Sequence, residues 1–482
     1  MTTPSSEAAQ LIRLRSPLLK YTGVSIANPH SAVIPTGLTV VIGPNGAGKT
    51  TLARIIERGW NFATNDISSP RGKLKVRYVE FNDIHSLAGF KAEYYQQRYE
   101  SGMNGEVPTV REVMGEKIDD PLWRDFAERM QLRGYEHKPV NGLSSGELRK
   151  VLIINQLLDT PDLLILDNPY IGLDVEARHE LDAAMQSITS AGSPTSIMML
   201  LCNVNEIPPF TTSILPVKGL TLLPQIGYDA VSSLDTLFDY TVADEQQLPL
   251  APEAADMPEP GSPVVEMEHC RIAYGKTVII DDISWTIRMG EHWILSGPNG
   301  AGKSTLLSLI HADNPQGYSN RLSLFGRRRG TGESIWDIKR RIGYVSPEMH
   351  LYFNGGHSLG LHVVAQGLND TVGQYKKLTP GQLDLASRWL DYLHITRLAD
   401  RPFRTMSAGE QRLLLLARTL IKTPPLLILD EPLHGLDQAC KRAIRDTIDR
   451  LARTRTFSLI YVTHRLEEAP PTATLHQRLH RR

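Results

Sequence analysis

The chain is short of cysteine, of net charge and of long apolar runs, and each shortage removes a class of protein. Three cysteines in 482 residues, Cys202, Cys270 and Cys440, are too few and too scattered for a disulfide framework or a zinc site, which fits a reducing cytosol. A formal charge of -1 gives no global attraction to nucleic acid or anionic lipid, and the basic end "HQRLHRR" reads as a solvated tail. No window approaches 18 uncharged apolar residues, and the start "MTTPSSEAAQLIRLRSP" has no apolar signal-peptide core. The expected location is cytoplasmic, with any membrane contact peripheral, at the inner face of the plasma membrane. With 41% hydrophobic and 22% charged residues, the chain has the composition and length for two or three well-buried globular domains.

What is present is a tandem duplication. "VVIGPNGAGKTTLARII" at 40–56 returns as "ILSGPNGAGKSTLLSLI" at 294–310. "LSSGELRKVLIINQLL" at 143–158 returns as "MSAGEQRLLLLARTLI" at 406–421, and "LLILDNPYIGLD" at 163–174 returns as "LLILDEPLHGLD" at 426–437. The spacing from Ser144 to Asp167 equals that from Ser407 to Asp430, 23 residues in each copy, which scattered motif matches would not produce. Between the copies, 243–263 is rich in Pro and acid and poor in aromatics, the composition of an extended linker. The expected domains are therefore 1–242 and 264–482.

Each copy opens with an apolar strand, a glycine-rich loop and an apolar helix. The loops are Gly43, Pro44, Asn45, Gly46, Ala47, Gly48, Lys49, Thr50, Thr51 and Gly297, Pro298, Asn299, Gly300, Ala301, Gly302, Lys303, Ser304, Thr305. Such a loop wraps phosphates with backbone N–H groups at a helix N-terminus, the lysine reaches the outer phosphates, and Thr50 or Ser304 ligates magnesium. Four apolar residues before Asp167 and Asp430 predict a buried strand whose terminal carboxylate orients the same metal. ATP and Mg2+ are the expected ligands.

The segments "LSSGE" and "MSAGE", placed before that strand, resemble the signature motif of ATP-binding-cassette (ABC) ATPases, and the resemblance covers nearly the whole chain outside the linker. It implies an α/β fold of two tandem P-loop NTPase domains, each with a mixed sheet core, an antiparallel β arm and a helical signature subdomain. The helical insertions are expected over 83–142 and 349–405. It further implies that Ser144 with Gly146, and Ser407 with Gly409, cap the γ-phosphate held by the opposite cassette, the two cassettes pairing head to tail within one chain. Tyr21 and Tyr274 would stack on adenine, and "GLD" at 172–174 and 435–437 would contact the partner cassette.

The copies are chemically unequal. Glu431 follows Asp430 where the family's general base stands, whereas Asn168 follows Asp167 and can only hydrogen-bond. His464 stands where the family's switch histidine holds the γ-phosphate; the aligned residue of the first copy is Asn203. Two losses in one copy and none in the other predict one competent and one impaired hydrolytic site. With crossed wiring, the competent site combines Lys303, Ser304, Asp430, Glu431 and His464 with Ser144 and Gly146. The impaired site combines Lys49, Thr50, Asp167, Asn168 and Asn203 with Ser407 and Gly409.

Transporter cassettes carry a glutamine after the strand that here reads "IGYVS"; this chain has Pro347 there and Phe81 in the first copy, with Glu80, Asn82 and Glu348 nearby. The double departure argues against coupling to transmembrane subunits. The stretch "NPQGYSNRLSLFGRRRGTGESIWDIKRRIGYVS", 314–346, and the fused pair resemble soluble double cassettes of the ModF or PhrA type, a label tied to molybdate transport and photorepair. The run Arg327, Arg328, Arg329, flanked by glycines, reads as a solvated hairpin. Three functions stay open: a cytosolic ATPase acting on a protein or ribonucleoprotein partner, the energising subunit of a molybdate-type or other importer, and an ABC-F-like translation factor. Against the last stands a linker of about 20 residues in place of a long charged helical one.

Overall fold

The computed structural model describes residues 10–21, 24–59, 66–80, 108–140, 143, 145–170, 173, 175–190, 194–238, 248–250, 257–274, 277–298, 300–346, 353, 357–369, 377–406, 408–433, 435–463 and 465–480. The chain divides into two compact units: Met1–Lys91, Asn104–Tyr240 and Gly435–Ala439 in unit 1, and Ala92–Met103, Thr241–His434 and Cys440–Arg482 in unit 2.

Unit 1 is built on a sheet whose strands run in the order Val76–Glu80, Leu163–Asp167, Ser196–Leu201, Leu38–Ile42, Ser213–Lys218, all parallel, extended at one side by antiparallel pairs. Unit 2 repeats the order with Ile342–Val345, Leu426–Asp430, Ser458–Val462, His292–Ser296 and Leu475–Arg478. The apolar runs "LLIL" are buried along their whole length, as expected for central parallel strands covered on both faces. Antiparallel sheets complete each unit: Val33–Pro35, Gln10–Leu14 and Ile67–Ser68 in unit 1; Thr277–Arg288, Pro263–Tyr274, Arg321–Leu324 and Arg327–Arg328 in unit 2.

The helical insertions are present where they are described. Unit 1 has helices Val110–Met114 and Pro121–Arg129 before the signature helix Ser145–Leu157; unit 2 has Gly360–Ala365 and Pro380–Tyr392 before Ala408–Leu420. A capping box at Thr109 starts helix Val110–Met114 and one at Thr379, followed by Pro380, starts the longer helix of the second insertion. Trp123 and Trp389, both fully buried, anchor these insertions.

Three expectations need correction. The basic end is not a solvated tail, because Leu475–Arg478 pairs in parallel with Trp293–Ser296 in the unit 2 sheet and Leu479 is buried. Arg327 and Arg328 lie exposed on the hairpin, but Arg329 is buried: it donates to Glu333 at 2.6 Å, and its guanidinium lies 4.6 Å from the Tyr318 ring centroid. An ion pair and an aromatic face compensate the lost hydration of that one cation. The end of the linker is also folded, since Gly261 N donates to Met289 O and Met289 N to Ser262 O, and Met257 packs on the core of unit 2.

Asp313, in the turn after the second phosphate-loop helix, sits between His311 Nδ1 and Lys339 Nζ, each at 2.5 Å. Burial pushes its carboxyl up, but the bonds and charges of His311 and Lys339 outweigh burial and bring it down to about 2. A folded-state value below the unfolded one near 3.8 stabilises the fold above that pH, and the contribution fades as pH falls through about 2. Asp313→Asn is expected to lower the unfolding free energy at pH 7 by about 2 kcal/mol. Urea titrations of both proteins should show the gap narrowing from pH 4 downward.

Candidate functional site

Parallel strands deliver the site's residues to one edge, because every strand of the core ends its apolar run on the same side. Strand Leu38–Ile42 runs into Gly43, and strand Leu163–Asp167 ends on the carboxylate; His292–Ser296 and Leu426–Asp430 do the same in unit 2. The phosphate-loop helices Lys49–Arg58 and Lys303–Ile310 each start after a glycine in the left-handed region, Gly48 at φ 109° and Gly302 at φ 90°, with no side-chain cap. A Cβ is strained there, and leaving the first N–H groups without a side-chain acceptor keeps them available to an anion.

In both loops the buried lysine bridges the strand end. Lys49 Nζ donates to Gly43 O at 2.8 Å and Pro44 O at 2.9 Å; Lys303 Nζ donates to Gly297 O at 2.7 Å and Pro298 O at 3.1 Å. Ala47 and Ala301 are buried beneath the loops, whereas Gly46, Pro298, Gly300, Thr50 and Ser304 are exposed and Thr51 and Thr305 intermediate. Thr50 Oγ1 donates to Asp167 Oδ2 at 2.8 Å, and Ser304 Oγ to Asp430 Oδ2 at 3.4 Å. An exposed hydroxyl beside a buried carboxylate is an oxygen donor pair suited to a hard cation that keeps its remaining positions for phosphate and water. Among the described residues no cluster of three or more His, Cys, Asp or Glu side chains stands as a separate metal site.

Around Asp167 the first copy is more crowded than the sequence indicated. Tyr78 donates to Asp167 Oδ2 at 2.7 Å and Asn168 Nδ2 to Asp167 Oδ1 at 2.9 Å. Burial raises the Asp167 carboxyl above the usual range, opposed by the hydrogen bonds of Tyr78 and Thr50 and by the charge of Lys49; burial and the facing carboxylate raise the Tyr78 hydroxyl. Tyr78 was not singled out, although "RYVE" and "GYVS" put a tyrosine at matching points of the two copies.

The next residue carries the difference between the copies. Asn168 and Glu431 both adopt φ near +50°, at 51° and 46°, and both donate their N–H to the adjacent strand, Asn168 to Leu200 O and Glu431 to Val462 O, each at 3.1 Å. Asparagine tolerates that region and glutamate does so poorly, so the fold holds Glu431 in a strained conformation. A buried arginine from each signature helix braces this turn: Arg149 Nη1 donates to Pro169 O at 3.0 Å and Arg412 Nη2 to Glu431 O at 3.1 Å. Both lie five residues after the signature serine, a repeat signal that would have found them. Burial lowers Arg412 to about 10, against the charges of Glu431 and Asp430, so it stays protonated at neutral pH.

Asn203 is buried, and its side chain accepts from Asn205 N at 3.0 Å, capping a short 3₁₀ turn. Gly146 and Gly409 are buried in the first turns of the signature helices. Tyr21 and Tyr274 are half-buried on hairpins that pack on the phosphate loops, since Ile26 lies against Gly48, and Ile279 and Ile280 against Gly302. Within unit 1, Asn45 N donates to Asp437 Oδ2 at 2.8 Å, and Cys202 Sγ points to Leu436 O at 3.6 Å. Ser144, Asn299, Ser407 and His464, and also Phe81, Asn82, Pro347 and Glu348, lie outside the described residues.

Two phosphate loops, each tied through a hydroxyl to a strand-end carboxylate, define a tandem P-loop NTPase. The ABC transporter family model matches residues 28–171 and 280–434, together more than half of the chain. The chain belongs to that family, and it is an ATPase of the ABC type with two tandem cassettes. It is similar to the ABC transporter ATP-binding protein ModF of Escherichia coli, at 35% identity over 90% of this chain and 89% of that protein. An uncharacterized ABC transporter ATP-binding protein of Schizosaccharomyces pombe is 29% identical over 97% of this chain and 95% of its own. Among solved structures, the archaeal ribosome recycling factor aABCE1, in complex with stalk protein aP1, shares the fold with a TM-score of 0.55 at 16% identity, covering 93% of this chain and 84% of that one. No helix among the described residues is long and apolar enough to cross a membrane.

Arg412→Met is expected to release the Glu431 turn and cut kcat about 10-fold or more, since small displacements of a reacting group cost that much. Nucleotide affinity, measured by equilibrium binding, should stay within about twofold, because the phosphate loop is untouched.

Proposed function

We propose that the protein is a cytosolic tandem ABC ATPase in which one site hydrolyses ATP and the other serves chiefly to bind it, the cycle driving a conformational change in a protein or ribonucleoprotein partner. The observation that carries this reading is the matched backbone at Asn168 and Glu431. Both turns are built alike, and only the second carries a carboxylate, the group that a general base requires. Glu431 takes the proton of the attacking water and His464 holds the γ-phosphate; Asn168 offers an amide with no basic lone pair for that task. In the first copy Asn203 is already engaged as a cap.

In this reading the domains are 1–242 and 264–482, joined through 243–263, whose end from Met257 on packs against the second domain. Mg2+ is held by Thr50 with Asp167 and by Ser304 with Asp430, whose hydroxyl and carboxylate oxygens fit it. When bound, it neutralises charge on the outer phosphates. Tyr21 and Tyr274 stack on adenine. Ser144 and Gly146 complete the site of the second phosphate loop, and Ser407 and Gly409 that of the first.

A soluble load is supported by the absence of the transporter glutamine at Phe81 and Pro347 and by the tandem fold shared with a recycling factor, which is a likeness of fold alone. The importer reading keeps one specific support, the transporter name carried by the ModF relative. A Glu431→Gln protein, loaded with ATP in cells and purified, separates the two: ribosomal or other soluble partners support the first, a membrane subunit the second.

Glu431→Gln should reduce turnover about 100-fold or more, the usual contribution of a general base. Asn168→Gln should leave steady-state ATPase activity nearly unchanged. Equal losses in the two proteins would mean that the first site hydrolyses through another base.

A further inference from the structure

The segment 314–320, Asn-Pro-Gln-Gly-Tyr-Ser-Asn, has no part in the phosphate or metal chemistry, yet each of its three amide side chains bonds to the strand that ends at Tyr274. Strand Pro263–Tyr274 pairs with strand Arg321–Leu324 only from Val265 to Glu268. Beyond that point side-chain amides take over the edge. Asn320 accepts from Arg271 N at 2.7 Å and donates to Arg271 O at 3.0 Å. Gln316 accepts from Ala273 N at 3.2 Å and donates to Ala273 O at 3.0 Å. Arg271 and Ala273 are two residues apart, so their backbone groups face the same edge of the strand, and two amides imitate the missing partner.

The last rung reaches a side chain. Asn314, 2% exposed, donates to the Tyr274 hydroxyl at 2.9 Å and to Ser308 Oγ at 3.2 Å, while its oxygen accepts from Gln316 N at 3.0 Å. Asn320 also donates to Gln316 O at 2.8 Å, closing the turn on itself. The turn therefore grips the backbone just before Tyr274 and the far end of its ring. Tyr21 of the first copy is held differently, with the Arg58 guanidinium 5.4 Å from its ring centroid.

We infer that Asn314, Gln316 and Asn320 are positioning residues that fix the Tyr274 ring in advance for stacking on a nucleoside base, so that this turn sets how strongly the second phosphate loop distinguishes a nucleotide from a bare phosphate chain. The inference rests on Tyr274 being the base-stacking residue. An aromatic already fixed loses no side-chain freedom when the base arrives, and freeing it costs affinity for ligands that carry a base and for no others.

The test is equilibrium competition against a fluorescent ATP analogue, using the full chain with Lys49→Ala so that the second phosphate loop is read. The competitors are Mg-ATP and Mg-tripolyphosphate, which has the phosphates and no base. Asn314→Leu and Gln316→Met should each weaken ATP about 3- to 10-fold while tripolyphosphate stays within about twofold. Tyr274→Ala should weaken ATP at least as much, again sparing tripolyphosphate. Tyr274→Phe removes the hydroxyl that Asn314 binds, so Asn314→Leu combined with Tyr274→Phe should cost less than the sum of the single changes.

Parallel loss of ATP and tripolyphosphate affinity in the turn variants would overturn the clamp, reducing it to a support of the fold. Unchanged ATP affinity in the turn variants, with a loss in Tyr274→Ala, would overturn the clamp and leave base stacking standing. An unchanged ATP to tripolyphosphate ratio in Tyr274→Ala would overturn the stacking assignment and the clamp with it. Should Asn314→Leu fail to fold, Gln316→Met and Tyr274→Phe, which leave Asn314 in place, carry the same comparison.

Discussion

The structure depends on a short tie between a helix and a strand: Thr50 to Asp167 in one repeat and Ser304 to Asp430 in the other. Each joins the first turn of a phosphate-loop helix to the end of a buried parallel strand. The strands must carry uninterrupted apolar runs for their ends to fall at one edge, and each helix must begin on a left-handed glycine for its first turn to face that edge. Buried Arg149 and Arg412 then brace the turn that follows each carboxylate. The signature helices that carry these arginines follow the helical insertions in which Trp123 and Trp389 are buried.

This architecture explains how the residue after the strand can differ between the repeats while the turn keeps its shape. The left-handed turn after the strand is kept by backbone bonds to the neighbouring strand, which do not depend on the side chain. Asparagine relieves the strain that glutamate bears there, so the first repeat gains conformational ease where the second keeps a carboxylate. Its side chain turns back to Asp167, joined by the Tyr78 hydroxyl, and Asn203 serves as a cap. The polar groups of the first site are thus drawn into its own scaffold.

Much of this was legible in the sequence because it repeats. Two copies of a glycine-rich loop and of "LLILD" at equal spacing identify the strands, the phosphate loops and Asp167 and Asp430 without any tertiary information. Side-chain partners across the fold were less legible. Arg329 read as solvated because a triple arginine between glycines has no local signal of burial; Glu333, four residues on, and the Tyr318 ring supply the compensation. Tyr78 reads as a strand residue, and register pairs it with Ile165; only its hydroxyl reaches Asp167, two residues further along the neighbouring strand. The amides of 314–320 look like turn formers, and only the end of the ladder at Glu268 shows what they replace.

The central proposal is that each nucleotide site borrows its γ-phosphate cap from the other repeat, so that phosphate loop and capping serine lie far apart in sequence. Steady-state turnover and nucleotide retention of Ser144→Arg beside Ser407→Arg test it directly. Ser144→Arg should abolish hydrolysis, although Glu431 and every residue for magnesium lie in the second repeat, because the bulky cation fills the cap of the competent site. Ser407→Arg should weaken nucleotide retention more than turnover. A dead Ser407→Arg protein with a normal Ser144→Arg protein would mean that each repeat serves its own site, and would contradict the account.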